Sequence, residues 1–114
     1  METKNLSEST ICCFGDSTTW GDNGCGAGGN DISWTSHLGA LLGGAVVENF
    51  GIKGSRIAIK ADRTDSFVER LDGIDDAADV YVVFGGVNDF SRNVPLGELG
   101  STDVHEFYGA VDYL

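Results

Sequence analysis

The stretch Asp79-Val80-Tyr81-Val82-Val83-Phe84-Gly85-Gly86-Val87-Asn88-Asp89 decides the fold. Its first six residues form a continuous β-branched and aromatic run, which is typical of a strand buried on both faces of a parallel sheet. Two glycines end the run, and the polar pair Asn88-Asp89 follows almost at once. The sequence therefore predicts a strand over Asp79–Phe84 that delivers an asparagine to the loop at its carboxyl end.

Two further apolar runs have the same organisation. Thr10–Phe14 predicts a first strand and is followed by Gly15-Asp16-Ser17, while Ala45–Phe50 predicts a second strand and leads into Gly51-Ile52-Lys53-Gly54. In an open α/β sheet, ligands bind outside the carboxyl ends of the strands. A serine, a glycine and an asparagine are thus expected at one edge of one sheet.

Helical segments separate and follow these strands. Apolar residues at i, i+4, i+7 and i+8 predict a helix over 34–42, with Ser33 as its N-cap and Gly43-Gly44 after its end. A second helix is predicted over Asp62–Leu71 and a third from about Asp103. Strands that alternate with helices predict an α/β fold in which right-handed crossovers join parallel strands.

The ordered set of blocks resembles the SGNH, or GDSL-type, hydrolases, a family of serine esterases and lipases on a flavodoxin-like fold. The resemblance implies a three-layer α/β/α architecture with strand order 2-1-3 and an ester as the small-molecule substrate. It also implies Ser17 as the nucleophile, with Gly54 and Asn88 as oxyanion donors. Supporting roles in the same blocks fall to Gly15, Asp16, Asn49, Gly86 and Asp89, whose polar members are expected to brace their loops by hydrogen bonds.

One block of that family is absent from these residues. The family places its base in an Asp-x-x-His block, whereas Asp103-Val104-His105 has another spacing and His37 flanks the apolar stripe of a helix. We therefore assign no base. Because the last predicted helix ends in mid-period and strand 79–84 would be an open edge, we expect residues 10–114, after a polar tail over 1–9, to be the N-terminal part of a longer domain. Further chain, or a partner that pairs with the 79–84 edge, would complete it.

Composition excludes several classes of partner. The formal net charge of −11 argues against nucleic acid and anionic membranes, whose phosphates are bound by Lys and Arg. No apolar run approaches the ~20 residues of a membrane span. The opening METKNLSEST lacks the apolar region of a secretory signal, so a cytoplasmic location is expected.

Neither a metal nor an organic cofactor is indicated. The three cysteines have no metal-ligand spacing; Cys12 and Cys13 are expected to fill core, and Cys25 to be exposed in a Gly-rich loop. That loop also contains Gly24-x-Gly26-x-x-Gly29, but a dinucleotide-binding fingerprint should follow its strand immediately.

Two alternatives to a hydrolase stay open at this point. One is a non-catalytic flavodoxin-like module that holds a small ligand at the strand ends. The other is a fragment completed by another chain. Since a lone Gly-Asp-Ser is more often a helix cap than a nucleophile, the order of all three blocks is what favours the hydrolase.

Overall fold

A computed structural model describes residues 5–114 and contains the predicted parallel sheet. Within those residues the sheet has three strands, β1 (Thr10–Gly15), β2 (Val46–Gly51) and β3 (Val80–Phe84), in the order β2-β1-β3. Both outer strands pair with β1 in parallel. The predicted α/β class and the 2-1-3 strand order are confirmed.

The register brings the carboxyl ends of the strands level with one another. Gly15, the last residue of β1, lies opposite Gly51, the last of β2, and opposite Phe84, the last of β3. The chain segments that follow the three strands therefore all begin at the same end of the sheet, the end formed by the carboxyl termini of the strands.

Five short helices accompany the sheet within residues 5–114: α1 (Ser17–Trp20), α2 (Thr35–Leu41), α3 (Phe67–Arg70), α4 (Val87–Ser91) and α5 (Phe107–Tyr113). α2 confirms the helix predicted over 34–42. It ends where Gly43 and Gly44 adopt φ of +79° and +111°, and the Gly44 N–H donates to Gly39 O at 2.9 Å. No helix in the described part of the chain is long and apolar enough to cross a bilayer.

The described residues form two compact units. The first holds the residues up to Lys53 together with Asp75–Phe84, and the second holds Gly54–Ile74 and Gly85–Leu114. The core of the first unit is built on one face of the sheet; its members are Ile11, Cys13 and Ala45, packed by Trp34, Leu38, Leu42, Val47, Val80 and Val82. In the second unit the largest fully buried side chain is Phe67, and Ala58 and Ala110 are also buried.

The cysteines lie as predicted. Cys12 and Cys13 are completely buried and Cys25 is exposed, all three as free thiols. Burial raises the pKa of the Cys13 thiol to about 11.

The helix predicted over Asp62–Leu71 is wrong at its start. α3 begins only at Phe67, because Ser66 and Glu69 form a reciprocal capping box, and it continues into a 3-10 turn over Leu71–Gly73. The residues before Ser66 are held instead by ion pairs, Arg56 with Asp62 and Arg63 with Asp65. Asp65 thus lies outside the helix.

Three other expectations need correction. β3 is not buried on both faces: Tyr81, Val83 and Phe84 are about half exposed, whereas Val80 and Val82 pack against the core of the first unit. The residues after Gly86 form α4 rather than a loop, and the last helix begins at Phe107 rather than Asp103.

The predicted polar tail over 1–9 falls partly outside the described residues, which begin at Asn5. Ser9 is buried, and its carbonyl accepts a hydrogen bond from the Val46 N–H at 3.0 Å. Ser9 therefore contributes to the sheet region of the first unit.

Candidate active site

Ser17 lies at a sharp turn from strand to helix in the first unit. Asp16 alone separates β1 from α1, and its buried carboxylate caps the helix by accepting the Thr18 N–H at 3.0 Å. A side chain at Gly15 would collide with Thr19 and approach Phe84 O to 2.9 Å, so this turn requires glycine. Ser17, the predicted nucleophile, is the first residue of α1 and is partly exposed.

The side chain of Asn49 links α1 to the end of β2 through hydrogen bonds. Its amide nitrogen donates to Thr19 O at 2.7 Å, and its amide oxygen accepts the Gly51 N–H at 2.8 Å. A side chain at Gly51 would collide with the backbone of Trp20, so helix and strand end are in close contact. The Lys53 ammonium lies over the Trp20 ring, 4.7 Å from its centroid, in a cation–π contact.

The backbone at Gly54, in the second unit, favours glycine because its φ of +78° is in the left-handed region. A Cβ there would also lie 2.5 Å from Arg63 Nη1, the far end of a flexible side chain that would have to shift. The Arg63 guanidinium is held by Asp65 through Nε–Oδ1 and Nη2–Oδ2 contacts of 2.9 and 2.6 Å. The hydrogen bonds to Arg63 lower the pKa of Asp65, and those to Asp65 raise the pKa of Arg63.

Asn88 is the second residue of α4, which begins after Gly86 at φ +113°. Its amide nitrogen donates to Ser55 O at 3.0 Å. Because Ser55 is bonded directly to Gly54, the structure brings the second and third sequence blocks together at this hydrogen bond.

Asp89 braces the same region. Its carboxylate is buried and accepts two backbone hydrogen bonds, Ile57 N–H to Oδ1 at 2.8 Å and Ala58 N–H to Oδ2 at 3.0 Å. Three hydrogen bonds therefore join Asn88 and Asp89 of block three to residues 55–58, which directly follow block two.

Both histidines are exposed, and the hydrogen bonds described for them do not involve a residue of the three blocks. His37 is exposed on α2 in the first unit. His105 is exposed in the second unit, where its Nδ1 lies 2.9 Å from Asp103 Oδ1. The backbone N–H of His105 and then its side chain lower the pKa of Asp103. No group of metal-ligating side chains occurs among residues 5–114.

Sequence reasoning missed Ser55 and its partners. Ser55 is fully buried; its hydroxyl donates to Asp65 O at 2.6 Å and accepts from Arg70 Nη2 at 2.9 Å. The start of α3 was readable from the Ser66-x-x-Glu69 pattern, but nothing in the sequence links Ser55 to Asn88 across 33 positions.

Comparison with solved structures gives three informative matches. A protein 97% identical superposes with a TM-score of 0.94, and the match covers 96% of this chain and 50% of that one. We call it the longer protein. A Lactobacillus plantarum protein is 34% identical with a TM-score of 0.74, covering 96% of this chain and 49% of that one.

A third structure, described as a possible lipase from Chitinophaga pinensis, is 23% identical with a TM-score of 0.70 and supports the fold alone; 93% of this chain and 41% of that one are covered. The chain thus spans half or less of each of these solved chains. No curated protein matches it.

A family model settles the family. The model described as the GDSL-like lipase/acylhydrolase family matches residues 13–111, a span that includes all three sequence blocks. The chain therefore belongs to the GDSL-like lipase/acylhydrolase family, a family of hydrolases.

Proposed function

We propose that this chain supplies the nucleophile and the oxyanion hole of a serine ester hydrolase. The observation that carries the proposal is the hydrogen bond from Asn88 Nδ2 to Ser55 O, because it joins one predicted oxyanion donor, Asn88, to the residue bonded to the other, Gly54. Ser17 lies after β1, and Gly54 and Asn88 follow β2 and β3, whose carboxyl ends lie level in one parallel sheet.

The reaction is acyl transfer in two steps. Ser17 Oγ attacks the ester carbonyl carbon while a base removes its proton, and the carbonyl oxygen becomes an oxyanion. Collapse of this intermediate expels the alcohol, which takes up that proton, and leaves an acyl-serine. Water then attacks the acyl group in the same manner, releasing the carboxylic acid and restoring Ser17.

Three donors would stabilise the oxyanion: the backbone N–H groups of Ser17 and Gly54 and the side-chain amide of Asn88. A carboxamide carries two N–H hydrogens. Since one of them is directed to Ser55 O, the second is the one assigned to the oxyanion. Loss of one such donor typically costs about 10²–10³ in rate.

The base is left unassigned because no Asp-x-x-His occurs in the 114 residues. A nucleophile without its base retains little activity, since triad members act as a unit. We propose that the 114-residue chain alone hydrolyses esters at least about 10³-fold more slowly than the longer protein. The family description supports an ester of an acyl group as the substrate class.

The test uses the longer protein, with substitutions written in this chain's numbers. Hydrolysis of p-nitrophenyl acetate should fall at least about 10³-fold in Ser17→Ala and about 10²–10³-fold in Asn88→Ala. The matched control is Thr18→Ala, which changes an exposed hydroxyl on the same helical turn and should leave the rate unchanged. Full activity in Ser17→Ala would refute the proposal.

The position of β3 at the edge of the sheet favours a second proposal, on partners. Within the described residues β3 pairs with β1 alone, so its other side is an open edge, and apolar open edges are normally covered. Tyr81, Val83 and Phe84 are 44%, 50% and 51% exposed, so the side chains of this strand are also accessible. We propose that a further strand, from the longer protein or from another chain, pairs with β3. If the longer protein supplies the strand, amide hydrogen exchange at Val83 should be slower in the longer protein than in this chain. If another chain supplies it, exchange should be slower in concentrated samples than in dilute ones. Exchange at Val83 that is the same in both proteins and at both concentrations would contradict the pairing.

A further inference from the structure

We infer that Ser55 is the residue that positions the oxyanion hole. The inference rests on the proposed function and adds a residue that touches neither the ester nor Ser17. Ser55 is completely buried, and all of its polar side-chain and carbonyl contacts given above lie within the second unit. It links Gly54, to which it is bonded, with Asn88, to which it is hydrogen bonded.

The carbonyl of Ser55 determines which end of the Asn88 amide faces the oxyanion. The oxygen and nitrogen of a carboxamide occupy nearly the same shape, so packing alone does not distinguish them. A carbonyl oxygen only accepts, and it therefore selects the nitrogen of Asn88, at 3.0 Å. In the reverse orientation the amide oxygen would face the developing negative charge and repel it.

The hydroxyl of Ser55 keeps that carbonyl in place. The segment between β2 and α3 contains no helix or strand, and Gly54 within it is conformationally permissive. A backbone hydrogen bond from the Phe67 N–H to Arg56 O at 2.8 Å holds the next residue, and contacts of the Ser55 side chain add to it in fixing the peptide plane after Ser55. The hydroxyl supplies two of them, a donated bond to Asp65 O at 2.6 Å and an accepted bond from Arg70 Nη2 at 2.9 Å.

Arg70 also holds the Asp65 carbonyl to which the Ser55 hydroxyl donates. Its Nε donates to the same Asp65 carbonyl at 3.0 Å, so Ser55, Asp65 and Arg70 close a three-membered set of hydrogen bonds. Ser55→Ala would leave Gly54 and Asn88 in the chain but remove the hydroxyl from this set. Displacement of a reacting or stabilising group by about 1 Å can cost about 10²-fold in rate.

The experiment is a double-mutant cycle in the longer protein, with p-nitrophenyl acetate as the probe. Ser55→Ala should lower kcat about tenfold or more with little change in KM, and the same substitution in an Asn88→Ala background should have almost no further effect. The control is Ser66→Ala, which removes another buried hydroxyl of the second unit and weakens the cap of α3. It should lower stability while leaving kcat unchanged.

Several outcomes would overturn the inference. Unchanged kcat in Ser55→Ala would do so, as would an equal loss of kcat in both backgrounds, which indicates a general structural defect. Absence of esterase activity in the unsubstituted longer protein, or full activity in its Ser17→Ala variant, would contradict the proposed function rather than the role of Ser55. For that case the geometry is tested separately by NMR: the side-chain NH₂ of Asn88 should exchange slowly with water in the 114-residue chain and faster in Ser55→Ala, and equal exchange would refute the role of Ser55.

Discussion

The buried carboxylate of Asp89 gives the sharpest prediction on stability. It is 2% exposed and accepts the N–H groups of Ile57 and Ala58 at 2.8 and 3.0 Å. In Asp89→Asn the side chain keeps its shape, but one acceptor oxygen becomes an NH₂ group that faces a backbone donor. One charge-assisted hydrogen bond is lost and one buried N–H is left without an acceptor.

These losses should add to about 3 kcal/mol, because charge-assisted bonds contribute about 1.5–3 kcal/mol and an orphaned buried donor costs a similar amount. With a urea m value of about 1.5 kcal/mol/M, the midpoint of unfolding should fall by about 2 M. Asp76→Asn, which makes the same change at an exposed turn residue, is the matched control and should leave the midpoint unchanged.

The measurement is urea unfolding followed by tryptophan fluorescence at neutral pH. A midpoint for Asp89→Asn within about 0.3 M of the wild type would refute the view that this carboxylate holds blocks two and three together.

Three further predictions concern other parts of the molecule. Gly54→Ala and Gly24→Ala should each destabilise the chain by about 1–2 kcal/mol, since both glycines have φ near +80° and the Arg63 side chain beside Gly54 can shift; unchanged urea midpoints in both variants would contradict this. A hydrogen bond from Glu48 to Asp75 raises the pKa of Glu48, so the stability that Glu48 contributes is present at low pH and is lost as pH rises through its folded pKa. Melting curves should therefore show wild type losing stability relative to Glu48→Gln between about pH 4.3 and neutrality, whereas a constant difference would contradict this. Finally, because the pKa of Cys13 is about 11 and Cys12 is also buried, Ellman's reagent at pH 8 should titrate one thiol per native chain, and three only after unfolding.

The sheet could be predicted from sequence because each strand carries its own signal. Val80–Phe84 is a β-branched and aromatic run bounded by glycines, and Thr10–Gly15 and Val46–Gly51 have similar boundaries. The strand order came from the family resemblance, whereas the register was not predicted and comes from the structure. Short helices were predicted less well: α4 lies in a Gly-Gly-Val-Asn-Asp stretch that is typical of a loop.

The site was only partly predictable for a related reason. The bracing role of Asp89 was expected from its residue type, and its carboxylate accepts two backbone hydrogen bonds. The contacts of Ser55 were not expected, because they join residues 10 to 33 positions apart through single hydrogen bonds. Serine is common in loops, and no periodic pattern distinguishes a serine that fixes a peptide plane from one that is solvated.

The most direct test of the hydrolase assignment is to locate a covalent adduct. The longer protein is treated with a fluorophosphonate, digested, and mapped by mass spectrometry. Our account predicts one phosphonylated residue, the serine of the Gly15-Asp16-Ser17 block, with adduct formation slowed in Asn88→Ala and absent in Ser17→Ala. Phosphonylation at another serine, or rapid labelling that persists in Ser17→Ala, would contradict it.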